Sequence, residues 1–155
     1  MIRLSTLRNR PVVCGHKRLG LLQSISLDPA QKRVCALIVS CGMLGKRVVL
    51  PQDVLAIADG FILVGCVLRY RRALETPPCA FVRDTTGLLT GRVTDYAIDE
   101  ASLAVAAIEL TTGYLRPARE TRLWVLDYVR QGEQSPELTV PACLGHELIN
   151  VGEGT

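Results

Sequence analysis

Short aliphatic and β-branched runs, punctuated by Gly, Pro and Asp, recur along the whole chain. Runs of this length between turn residues read as half-buried strands at close spacing. Pro11-Val12-Val13 predicts a strand, and Gly20 to Leu27 a second, ended by Asp28-Pro29-Ala30-Gln31. That tetrapeptide suits a type I turn, because Asp accepts a backbone N–H and Pro presets φ. Val34 to Ser40 returns as the partner strand, and Arg47-Val48-Val49-Leu50 adds another. Pro51-Gln52-Asp53-Val54 predicts a short or helical turn. Ala56-Ile57-Ala58 and Phe61-Ile62-Leu63-Val64 flank Asp59-Gly60, whose tolerance of positive φ marks a hairpin.

The same plan then recurs. Setting Gly20 over Gly91, an offset of 71, aligns Gly20–Leu44 with Gly91–Leu115 without a gap. Asp28/Asp99, Val34/Val105, Ala36/Ala107, Gly42/Gly113 and Leu44/Leu115 are identical, and Leu22/Val93, Leu27/Ile98, Leu37/Ile108, Val39/Leu110 and Ser40/Thr111 keep their character. Asp84-Thr85-Thr86-Gly87 and Asp99-Glu100-Ala101-Ser102 are turns, while Gly91–Ile98, Val105–Thr111, Leu123–Leu126 and Glu137–Val140 are strands. The second copy gains residues, most simply between Arg130 and Pro136. An internal repeat fixes architecture before it says anything of activity.

Alternation along Val34–Val39 separates Val34, Ala36 and Ile38 from Cys35, Leu37 and Val39. The aligned strand sets Val105, Ala107 and Glu109 against Ala106, Ile108 and Leu110. The charge at Glu109 predicts that its face is solvated. Val34, Ala36 and Ile38 are therefore expected at a lobe or subunit interface that covers Ile38.

Composition sharpens this picture. Of 155 residues, 48% are hydrophobic but only 5% aromatic, so the core is built from Val, Leu, Ile and Ala. A repeat of about 70 residues buries only about 60% of its unfolded surface, so each copy needs the other. The net charge of +3 hides a split: residues 1–72 carry +9 and residues 73–155 carry −6. Such a split suits mutual attraction of the lobes, self-association, or a nucleic-acid or anionic-membrane face. The six cysteines accompany no apolar signal-peptide core, and no apolar stretch reaches 18 residues. A reducing cytoplasm, free thiols and no membrane insertion are expected.

The series Arg3-Leu4-Ser5-Thr6-Leu7, Pro11-Val12-Val13, Leu19-Gly20-Leu21-Leu22, the Leu27-Asp28 turn, Val34–Val39, Val48-Val49-Leu50-Pro51 and Ile62-Leu63-Val64 resembles the PRC-barrel family. Gly87, Gly91–Asp99, Val105–Gly113 and Leu138-Thr139-Val140-Pro141 carry the resemblance in the second copy. That module is shared by the photosynthetic reaction-centre H subunit and the small-subunit ribosome-maturation factor. The resemblance implies an all-β protein of two tandem small barrels packed together. The first would span residues 1–70 and the second 80–142, with a linker over 71–79 and a tail over 143–155. The membrane-spanning helix of the H subunit and the extra N-terminal domain of the maturation factor have no counterpart here. Neither activity transfers residue by residue.

Candidate chemistry is sparse. Cys14-Gly15-His16 and Cys143-Leu144-Gly145-His146 would supply four zinc ligands if the chain ends met. No C-x-x-C pair accompanies them, so no metal is assigned and no cofactor is expected. Cys41-Gly42-Met43-Leu44-Gly45-Lys46-Arg47 lacks the spacing and Ser/Thr of a phosphate loop. A nucleophile elbow is also missing. Asp95, Asp99 and Glu100 could move protons, but Asp99 matches the turn Asp28. Trp124 reads as packing. Arg3, Arg8, Arg10, Lys17, Arg18, Arg69, Tyr70, Arg71 and Arg72 form the candidate interaction surface. A non-enzymatic protein-interaction or assembly module follows, with RNA the rival partner through residues 1–18 and 69–72.

Overall fold

The computed structural model describes residues 1–72, 79–111, 122–130 and 135–140. It is nearly all β, as the sequence pattern requires. The chain opens with β1 (Ile2–Arg3) and one helical turn, α1 (Leu4–Leu7). β2 (Pro11–Cys14), β3 (Lys17–Leu27), β4 (Val34–Ser40), β5 (Lys46–Val49), β6 (Val54–Ala58), β7 (Phe61–Val64) and β8 (Leu68–Arg69) form the first sheet, in the order β6-β7-β2-β3-β4-β5-β8. β9 (Phe81–Asp84), β10 (Leu89–Ile98), β11 (Val105–Thr111), β12 (Arg122–Val125), β13 (Val129–Arg130) and β14 (Glu137–Val140) form the second, in the order β12-β11-β10-β9-β14-β13.

The duplication read from the sequence is present in the hydrogen-bond register. Leu22↔Val39, Ser24↔Ile38 and Ser26↔Ala36 oppose one another across β3 and β4. Val93↔Leu110, Asp95↔Glu109 and Ala97↔Ala107 do so across β10 and β11. The two β-bulges of each hairpin also coincide, after Leu22 and Val93 and after Ser26 and Ala97. β2 pairs in parallel with β7, and β9 likewise with β14. Bulges bend and twist a strand pair, so the two hairpins bend at matching positions. The expected insertion between Arg130 and Pro136 is corrected by the register: β5 and β12 already match at an offset of 76, so the added length falls between β11 and β12, where ten residues stand against the five between β4 and β5.

The two sheets meet through equivalent residues. Val34 N–H donates to the Leu103 carbonyl at 3.0 Å, and Val105 N–H to the Lys32 carbonyl at 2.8 Å. Arg33 and Ala104 form the bridge between them. The 71-residue offset converts one bond into the other, so the halves face each other as in an isologous dimer. Side chains reinforce the junction. Tyr128 donates its hydroxyl to the Gln31 carbonyl at 2.6 Å, and Gln31 Oε1 accepts the Cys79 N–H at 3.0 Å. These bonds hold Gln31, fully buried, at a left-handed φ of 61°. Lys32 Nζ lies 3.4 Å from the Tyr128 ring centroid. Burial pushes the Tyr128 phenol well up, so it stays a neutral donor.

One apolar core runs through both halves, joining Leu22, Ile25, Leu37 and Val49 to Val93, Ile98, Ile108 and Leu138. Residues 2–7, inside the bounds read for the first repeat, belong structurally to the second sheet. β1 pairs with β10 through Ile2↔Ile98 and Arg3↔Ala97, and Leu4 and Leu7 enter the shared core. Ala36, Ile38 and Val48 form a separate cluster with Leu50 and Tyr70. Ile38 is therefore covered within its own sheet. Val34 instead sits at the junction of the halves. Most of the expected linker (73–78) and the whole tail (143–155) lie outside the described residues.

Gly20, identical in both repeats, has a steric reason. A Cβ there would sit 2.0 Å from the Ser40 carbonyl oxygen. Backbone cannot yield as a flexible side chain can, so Gly20→Ala is expected to cost about 3 kcal/mol of unfolding free energy or more. Tyr128→Phe, which strands the Gln31 carbonyl, should cost about 1–2 kcal/mol. Urea denaturation of the two variants measures both; an unchanged midpoint in either would contradict the packing described.

Candidate interaction surfaces

Asp95 and Glu109 oppose each other on β10 and β11, and both are buried. The expectation of a solvated face at Glu109 is corrected here: a charge can be buried when partners meet it. Thr94 Oγ1 donates to Glu109 Oε2 at 2.9 Å, and Arg3 Nη1 stands 3.9 Å from Oε1. The Arg3 guanidinium also lies 5.2 Å from the Trp124 ring centroid. Asp95 Oδ1 accepts the Ser5 N–H at 3.0 Å and the Tyr96 N–H at 2.9 Å, while Oδ2 accepts the Ser5 hydroxyl. The first residues of the chain are thus latched to the second sheet by both carboxylates. Both carboxylates are engaged in these contacts.

Beside this latch, Leu4, Ser5, Arg8, Arg92, Asp95 and Tyr96 border a cleft of about 210 Å³. That is smaller than typical ligand pockets, which begin near 300 Å³. Tyr96 donates to the Cys79 carbonyl at 3.0 Å, and burial pushes its phenol strongly up. The cleft therefore has packed, engaged walls.

A second feature gathers at one end of the first sheet. β8 runs antiparallel to β5 with Arg69 opposite Arg47, which carries Arg71 and Arg72 on towards the 41–45 turn. Across β4, Leu21 opposes Ser40, so Lys17 and Arg18 project beyond the end of that strand. Lys17, Arg18, Arg69, Arg71 and Arg72 are exposed, and none has a carboxylate within 4.0 Å among the described residues. Tyr70 differs: it is half-buried against the Ile38 cluster, with Lys46 Nζ 5.1 Å from its ring centroid.

The third feature is β6, Val54-Leu55-Ala56-Ile57-Ala58. It ends the strand order, and among the described residues no strand pairs with its outer edge. Leu55 is 63% exposed and nearby Phe61 41%.

The sequence-derived candidates thus divide. Lys17, Arg18, Arg69, Arg71 and Arg72 come together. Arg3 and Arg8 lie beside the latch. Arg10 is tied down, with Nη1 donating to the Ala58 carbonyl at 2.9 Å and Nε to the Thr6 carbonyl at 3.1 Å. Cys14 is half-buried near the Gly65 carbonyl and His16 is exposed; Cys143 and His146 lie outside the described residues. No cluster of three or more metal-ligating side chains occurs among the described residues. No described helix is long and apolar enough to cross a membrane.

No protein-family model matches the chain, and no curated protein matches it.

The turn aspartates perform structural work throughout. Asp28 Oδ1 accepts the N–H groups of Lys32 and Arg33 at 2.6 and 2.9 Å. Asp99 Oδ1 accepts those of Ala101 and Ser102 and the Ser102 hydroxyl. Asp84 Oδ1 accepts the Thr86 hydroxyl and the N–H groups of Thr86 and Leu88. Hydrogen bonds to the charged form hold the Asp84 and Asp99 carboxyls below the usual range.

The sequence missed the latch, although charged residues at two opposed positions of an apolar strand pair signal a cation brought from elsewhere. Arg3→Leu should destabilise by about 1–3 kcal/mol, because Glu109 is left buried without its cation. Arg3→Leu with Glu109→Ile, the residue at the equivalent first-repeat position, should recover most of that loss in urea denaturation. Failure of the double variant to recover would show that the pair itself is needed. The depressed carboxyls give a pH prediction. Their stabilisation is complete above the unfolded value of about 4 and is lost as pH falls through the lower folded values. The urea midpoint should fall less steeply with acidification in Asp84→Asn/Asp99→Asn than in the parent; equal slopes would refute it.

Proposed function

We propose that the chain is a non-catalytic, cytoplasmic tandem PRC-barrel protein that recognises or helps assemble another protein. Two features support the family: the residue series that resembles it, and the recurrence of one strand plan in both halves. The turn aspartates, buried carboxylates and buried phenols are engaged in holding the fold, which supports a binding role over a chemical one.

The observation that carries the reading is β6. An uncharged edge strand of five residues is a template for strand addition, and natural proteins ordinarily blunt such edges with charge or proline. Here it presents Leu55 and Ala56 outward, beside Phe61. A partner strand laid along it would gain main-chain hydrogen bonds and cover that apolar surface.

The RNA reading is weakened by Tyr70. The aromatic needed for base stacking is already packed on the Ile38 cluster and approached by Lys46. Affinity isolation from the native cell, with nuclease treatment and reconstitution from purified components, tests the proposal. A defined protein should survive nuclease and be lost at least about tenfold with Leu55→Lys/Ala56→Lys, since a charge opposes edge pairing. Recovery that is nuclease-sensitive, or indifferent to those substitutions, would overturn it.

A further inference from the structure

The β4–β5 turn carries a surface that strand addition at β6 does not use. Met43 and Leu44 are 106% and 77% exposed, the two most exposed large apolar side chains among the described residues. They do not dangle. Cys41 N–H donates to the Gly45 carbonyl at 2.8 Å and Gly45 N–H to the Gly42 carbonyl at 3.1 Å, closing a 3₁₀ turn. Gly42 and Gly45 supply the left-handed φ values, 61° and 79°, that the turn demands. A rigid turn therefore holds two apolar side chains out in water. At the offset of 71 the sequence carries Gly113-Tyr114-Leu115, which lie outside the described residues.

Topology surrounds the tip with positive charge. Lys46 and Arg47 follow it directly, Arg71 and Arg72 approach along β8, and Lys17 and Arg18 project past β4 on the other flank. The acids of residues 1–72 are only Asp28, Asp53 and Asp59. Asp28 sits in the turn at the opposite end of the β3–β4 hairpin, and none of the three pairs with these cations.

We propose that this end of the first sheet docks on an anionic lipid bilayer, with Met43 and Leu44 entering the interface while the cations meet the headgroups. The shape favours a bilayer over a macromolecular partner. A protruding tip two side chains wide supplies only a small part of a standard protein–protein interface, which buries about 800 Å² on each partner in all. Nucleic acid would satisfy the cations but offers protruding aliphatic side chains no comparable apolar layer. An interface of acyl chains beneath acidic headgroups accepts both, and stable peripheral binding characteristically combines an apolar and a polybasic signal.

Sedimentation of the full chain with vesicles tests this at physiological salt. Vesicles of phosphatidylcholine with phosphatidylglycerol should retain the protein, and phosphatidylcholine alone should not. Met43→Ser/Leu44→Ser should weaken retention about tenfold or more, given the apolar surface removed. Each of Arg71→Gln and Arg72→Gln should weaken it about fivefold. All four positions are exposed, so circular dichroism and the urea midpoint should match the parent. Absence of binding to the anionic vesicles, or full binding by the Met43/Leu44 variant, would overturn the proposal. So would a single-stranded RNA bound more tightly than the vesicles and independently of the tip. The β6 substitutions should leave vesicle binding unchanged, so failure here and failure of partner capture are separate results.

Discussion

Everything in this molecule depends on two backbone hydrogen bonds between β-turn hairpins, Val34 to Leu103 and Val105 to Lys32. They set equivalent residues face to face and so decide which surfaces of the two sheets become interior. Neither half has the size to bury a sufficient core alone. The apolar cluster that runs from Leu22 to Leu138 exists because the halves are held in this one relation. Gln31 shows how tightly: a non-glycine residue stays at positive φ because Tyr128 and Cys79 bond both its carbonyl and its side chain.

On that shared frame the copies differ sharply at one register position of the central hairpin. The first fills the Ser24–Ile38 pairing with an apolar plug of Ala36, Ile38, Val48, Leu50 and Tyr70. The second places Asp95 and Glu109 at the same register and meets them with Ser5, Thr94 and Arg3. Ile38 in the first copy, and Asp95 and Glu109 in the second, are all buried. The polar arrangement gains specificity, since only a segment with the right donors can cover it, and loses some of the stability that simple apolar packing would give.

Most strands and turns were legible in the sequence because they are local events. Alternation of period two marks β3, β4, β10 and β11, and an aspartate that accepts its own turn's N–H groups marks where they reverse. The repeat even transmitted the register, as Leu22↔Val39 and Val93↔Leu110 show. What escaped was long-range. Burial of Glu109 depends on Arg3, and the helical turn α1 is anchored by Asp95, 90 residues from Ser5. Alternation cannot report a partner so distant. The candidate surface was half legible for the same reason: Arg69, Arg71 and Arg72 stand out as a run, but strand pairing alone brings them near Lys17 and Met43.

The reciprocal bond pair at the junction has one more implication. A contact that maps onto itself under the repeat offset is the contact that two separate copies of a single-repeat ancestor would make as a homodimer. Fusing such a pair into one polypeptide removes the dependence of assembly on concentration. It also frees each former subunit to change independently. The lopsided charge of this chain, and the plug and the latch at matching positions, are the kind of asymmetry that identical subunits could never have acquired.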